Sequence, residues 1–178
     1  MEKNDEVRTT DGMSFISEKN FYMFFWLFII GSVVGFILEG IWVIFCEGRW
    51  EHHSGLIWGP FCIIYGIGTA GMYAVLKLIK VDSIVIQFFA CALCGSVVEY
   101  IASFLQELFF NSYSWNYSVH QYNLSGRVSL DMAAIWGFLG IVFSRLILPP
   151  MRGLIMKIHG RAGFAATWFL VVFMILNF

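Results

Sequence analysis

The chain has 178 residues, of which 59% are apolar, 19% aromatic and only 13% charged, with a net charge of −1. A soluble domain carries about 25% charged residues, so this chain lacks the polar surface of one. Its near-neutral balance excludes a nucleic-acid binder, which would carry a basic face.

Residues 1–20 hold Glu2, Lys3, Asp5, Glu6, Arg8, Asp11, Glu18 and Lys19. They read as a polar cytoplasmic tail, not as a signal peptide, because no basic start leads straight into an apolar core. From Phe21 to Phe45 the sole ionisable carboxylate is Glu39. That run exceeds the roughly 20 residues needed to cross a bilayer as a helix, and it predicts the first membrane span.

Further spans are expected at about 56–79, 84–110, 130–148 and 163–178. Pro149 and Pro150 are expected to stop the fourth, since proline lacks the N–H and clashes with the preceding turn. Residues 151–160 mix basic and apolar side chains and read as an interfacial helix. The predicted fold is therefore all-α: a polytopic membrane helix bundle of about five transmembrane helices, spanning residues 21–178. Basic residues set its orientation. Lys3, Arg8, Lys19, Lys77, Lys80, Arg145, Arg152, Lys157 and Arg161 fall on one side, against Arg49 and Arg127 on the other. This puts the N-terminus in the cytoplasm.

The sequence repeats internally. Gly31-Ser32-Val33-Val34 recurs as Gly95-Ser96-Val97-Val98. Gly48-Arg49 followed by Ile57-Trp58-Gly59 recurs as Gly126-Arg127 followed by Ile135-Trp136-Gly137, with the same spacing. The unit is span, outer loop, Gly-Arg, span, giving repeat one at about 21–79 and repeat two at about 84–148. Two spans separate the copies, so the repeats are parallel.

Glu39 and Glu99 are the main candidate site residues. Gly31, Gly35 and Glu39 are four residues apart, as are Gly95, Glu99 and Ser103, so each carboxylate shares a helix face with small residues. A carboxylate inside a bilayer must be paired, protonated or facing water. One reading is a structural pair with Arg49 or Arg127, which would fit a bidentate contact. The other is a polar site for an ion, proton or solute, with the arginines at its outer mouth. His53 and Asp131 occupy equivalent repeat positions and are weaker candidates for lining it, as are Trp58 and Trp136, although tryptophan near an interface is ordinary.

The cluster of Cys46, Glu47, Glu51, His52 and His53 lacks the i, i+4 spacing of a helical metal site, so no metal is assigned, and no cofactor. Cys91 and Cys94 read as helix-packing residues. The sequence shows neither a phosphate loop nor a nucleophile elbow, so the expectation is that the chain is not itself an enzyme.

Gly31-Ser32-Val33-Val34-Gly35 leading to Glu39, Gly48-Arg49, Gly55-Leu56-Ile57-Trp58-Gly59-Pro60, Tyr65-Gly66, Trp115-Asn116-Tyr117-Ser118, Leu124-Ser125-Gly126-Arg127 and Trp136-Gly137-Phe138-Leu139-Gly140 resemble a family of bacterial multi-pass membrane proteins. That family is catalogued as type IV ABC-transporter permeases. The resemblance covers about residues 22–150. It implies transport of a small solute or ion across the bacterial inner membrane, with an ATPase subunit in trans. Five spans make a small pore, which points to a homo-oligomer in the lipid bilayer. Two other readings remain open at this stage. One is a non-transporting assembly or sensor subunit. The other is a membrane enzyme acting on lipid or envelope precursors, with the arginines holding a phosphate.

Overall fold

A computed structural model describes residues 18–49, 56–158 and 160–177. Most of the tail expected over 1–20, together with His52 and His53, lies outside the described residues. The chain is an all-α helical bundle. Helix α1 runs Glu18–Glu47, α2 Ile63–Ile79 and α3 Ile84–Phe110. A two-stranded hairpin follows, β1 Asn123–Leu124 against β2 Val128–Ser129. Helix α4 (Leu130–Val142) continues through a π-helical turn, Phe143–Ile147, into α5 (Leu148–Ile155). Helix α6 covers Gly160–Leu176. Three stretches are long and apolar enough to cross a membrane: Phe21–Cys46, Ile84–Phe110 and Leu130–Ile155. Helices α2 and α6 are apolar but shorter, 17 residues each.

The helices end where local chemistry allows. Lys80 and Asn111 adopt left-handed φ values of 50° and 49° and return their N–H groups to Leu76 and Glu107, closing the last turns of α2 and α3. The prolines do not stop the fourth helix. Pro149 and Pro150 fall in the first turn of α5, where a missing N–H matters least. The preceding π turn, in which the Leu148 N–H reaches back to Phe143 O, widens the backbone enough to admit them. Residues 148–155, the last five of which begin the stretch read as an interfacial helix, therefore continue the fourth helix. The second helix also begins later than expected, at Ile63, because Leu56–Pro60 forms a bent, non-helical approach.

Packing is antiparallel and close within each expected repeat unit. Gly31 faces Thr69 and Gly35 faces Tyr65, where an added Cβ would lie 2.2 Å from the Tyr65 Cβ. Gly95 lies under Trp136 and Gly140 over Cys91. These small residues let backbones approach, which drives helix association where lipid is as apolar as the side chains. The two Ile-Trp-Gly triplets take different structures. Trp58 is exposed in the bent approach, whereas Trp136 is buried inside α4. One core joins Met23, Leu27, Met72, Tyr73, Trp136 and Ile155. Helix α6 packs on α1: the Trp26 indole donates to Thr167 Oγ1 at 3.1 Å. The outward faces carry Trp42, Phe45, Phe89, Leu93 and Phe109, all exposed, an apolar surface that suits lipid and not water.

Candidate intramembrane polar site

Four helices and the loop between α3 and α4 deliver polar groups to one region of the bundle. Glu99 lies on the α3 face that Gly95 and Ser103 also occupy, and is 5% exposed. The Tyr117 hydroxyl donates to Glu99 Oε1 at 3.2 Å. The Trp136 indole also acts on this carboxylate, yet Oε2 is buried with no partner in hydrogen-bond geometry. On the other side of the region, the half-buried Glu39 is hydrogen-bonded to Tyr65. The Tyr65 and Trp136 rings lie 6.4 Å apart. Tyr117 interacts electrostatically with Tyr65 and Glu39 as well as with Glu99. Glu39, Tyr65, Tyr117, Glu99 and Trp136 are thus one contiguous cluster.

Tyr117 reaches the cluster because its loop is folded. Ser125 and Gly126 both have positive φ, 55° and 69°, as a tight two-residue hairpin turn requires. The Arg127 N–H closes the turn on Leu124 O at 3.0 Å. The Tyr117 N–H donates to Gly126 O at 2.7 Å, and the Trp115 indole to Arg127 O at 3.0 Å. Ser114 and Gln106 exchange two further hydrogen bonds. Burial, and then the Glu99 carboxylate, push the Tyr117 phenol above its ordinary range, so it stays a hydrogen donor at neutral pH.

Arg127 does not join the carboxylate cluster as the sequence suggested. Arg127 pairs with Glu107, donates to Ser103 Oγ at 3.3 Å, and lies over the rings of Tyr100 and Phe104 at 5.8 and 5.6 Å. Its carboxylate partner is two turns beyond Glu99, because the loop brings its backbone to the end of α3. Arg49 is exposed just past the end of α1. Asp131 is also exposed and meets His120 Nδ1 at 2.6 Å, in an open depression beside Gln121, Tyr122 and Ala134. The Trp58 N–H donates to Asn177 Oδ1 at 2.7 Å, and its carbonyl accepts from Asn177 Nδ2 at 2.6 Å, a structural clasp remote from Glu99 in sequence. His53 lies outside the described residues.

Sequence reasoning missed Tyr65, Tyr117 and Glu107. The four-residue stripe of Gly95, Glu99 and Ser103, extended by one step, lands on Glu107, so that residue carried a signal. Tyr65 and Tyr117 stand within motifs that carry the family resemblance, but no spacing assigned either of them a role.

Long apolar helices around a buried carboxylate cluster define a helical membrane protein with a polar interior. The chain belongs to the family described as "Putative ABC-transporter type IV", whose profile matches residues 26–178. The match extends past residue 150, beyond the range of the resemblance, and takes in all of α5 and α6. No curated protein and no solved structure matches the chain.

Proposed function

We propose that this protein is the membrane-embedded part of an ABC-type transporter for a small solute or ion, and that Glu39, Tyr65, Tyr117 and Glu99 line its path. On this reading it crosses the bacterial cell membrane five times with its N-terminus in the cytoplasm, works as an oligomer and takes its ATPase in trans. The observation that carries the reading is the cluster itself. Two carboxylates among apolar helices are costly, and neither of the hydroxyl partners found for them, Tyr65 and Tyr117, carries a compensating charge. Family membership supplies the transporter class. Arg127 is assigned a structural role, because its guanidinium is already engaged by Glu107, Ser103 and two rings.

The test is purification of the tagged full-length chain from its native membrane in mild detergent, then ATP hydrolysis in liposomes. An ATPase subunit co-purifies, and Glu39→Gln or Glu99→Gln lowers stimulated hydrolysis several-fold while helix content holds. A folded protein that brings down no ATPase overturns the reading.

A further inference from the structure

We propose that Glu99 and Tyr117 form a binding site for a monovalent metal cation, with Trp136, Tyr65 and Glu39 alongside. The argument begins with the unsatisfied oxygen. Glu99 is 5% exposed, its Oε1 accepts from Tyr117 at 3.2 Å, and its Oε2 is buried without a hydrogen-bond partner. The two side chains that bear on the carboxylate, Tyr117 and Trp136, are neutral. A carboxylate taken out of water without a counter-charge costs several kcal/mol, so something must neutralise it.

A proton neutralises the charge but leaves a second defect. It turns Oε2 into an O–H that needs an acceptor, and Oε2 makes no hydrogen bond among the described residues. A metal ion removes both, because it takes up the lone pairs of Oε2 and needs no acceptor. The available donors are hard oxygens, Glu99 Oε2 and the phenol oxygen of Tyr117, whose hydrogen already points at Oε1. Hard oxygen donors suit alkali and alkaline-earth ions. Among the described residues no group of three or more His, Cys, Asp and Glu gathers anywhere, which removes the ligand set of a transition metal or a dedicated calcium site. One neutralising charge at one buried carboxylate is the stoichiometry of a sodium-like ion. Tyr117 is also the point where the loop between α3 and α4 touches the site, so the loop that covers the ion supplies one of its ligands.

For its role, though not for its existence, the site rests on the transport reading. The test is thermal unfolding of the purified full-length chain in detergent, in chloride salts of lithium, sodium or potassium against choline chloride at equal ionic strength. At least one alkali ion raises the melting temperature by ~5 °C relative to choline. Tyr117→Phe, which keeps the carboxylate, shrinks the rise. Glu99→Gln abolishes it, and Glu107→Gln, on the same helix but outside the site, retains it. Equal melting temperatures in all four salts overturn the proposal, as does a rise that survives Glu99→Gln. Should Glu99→Gln fail to fold, an undiminished rise in Tyr117→Phe overturns it instead. The two readings fail separately. Absent ion stabilisation with hydrolysis still lost in Glu99→Gln sinks the ion site alone. Ion stabilisation with no co-purifying ATPase sinks the transport reading alone.

Discussion

Substituting Gly95 by alanine tests whether the α3–α4 contact holds the site together. A Cβ at this position would meet Trp136 Cγ at 2.2 Å, Cδ2 at 2.4 Å and Cβ at 2.6 Å. Ordinary contact begins at 3.4 Å, so the two helices must separate by about 1 Å or the indole must leave its rotamer. Trp136 is 8% exposed and has no open side to move toward. Overpacking of this kind costs about 1–3 kcal/mol, partly offset by about 1 kcal/mol of helix propensity gained over glycine. The expected net loss is about 0–2 kcal/mol. Gly153, in α5, is the control: it is exposed and a Cβ there meets nothing within 4 Å. Gly153→Ala keeps the propensity gain alone and should stabilise by about 0.5–1 kcal/mol. Unfolding in mixed detergent micelles of increasing denaturing-detergent fraction, followed by tryptophan fluorescence, measures both. Equal midpoints for the two variants would refute the packing argument.

Three further outcomes follow from the same geometry. Arg127→Gln removes the pair with Glu107 and the contact with two rings; Glu107 is nearly half exposed, so the stability cost is only about 1 kcal/mol, but amide exchange across residues 111–129 should accelerate relative to that of α3. Asn177→Ala leaves the Trp58 N–H and carbonyl without their clasp and should cost about 1–2 kcal/mol, read as a lower melting temperature with unchanged helix content. Tyr117 retains its proton above the ordinary tyrosine value of 10.0 because of burial and then Glu99. The folded chain therefore binds a proton that the unfolded chain releases, so this contribution is complete below pH 10 and is lost as pH rises from there. Tyr117→Phe should flatten the alkaline fall in melting temperature, and an unchanged slope would count against the buried phenol.

The long elements were legible because apolar run length alone constrains them. The bounds expected for the third span, 84–110, coincide with those of α3. The burial of Glu99 followed from its four-residue spacing to Gly95 and Ser103, since helical periodicity fixes a face without knowledge of the neighbours. What the face meets is a different kind of fact. Tyr65 comes from α2 and Tyr117 from a loop whose position depends on the hairpin turn at Ser125 and Gly126, so their meeting depends on tertiary contacts that no local pattern encodes. Pairing Arg127 with a carboxylate was foreseeable, but choosing Glu107 over Glu99 required the loop's height. The proline pair misled because a breaker rule assumes a regular α-helix upstream, and Phe143–Ile147 is not one. Identical Ile-Trp-Gly triplets took different shapes because Trp58 is tied to Asn177 at the end of α6, whereas Trp136 is seated on Gly95.

The π turn divides one rod into two differently anchored arms. An extra residue in a single turn rotates everything beyond it by about 100° relative to a regular α-helix. Above the turn, Trp136 and Gly140 bear on α3; below it, Leu148, Met151 and Ile155 bear on the core that includes Met23 and Leu27 of α1. The upper arm touches the carboxylate cluster, and both arms reach the core shared with α1. Those five residues set the angle at which the two arms meet.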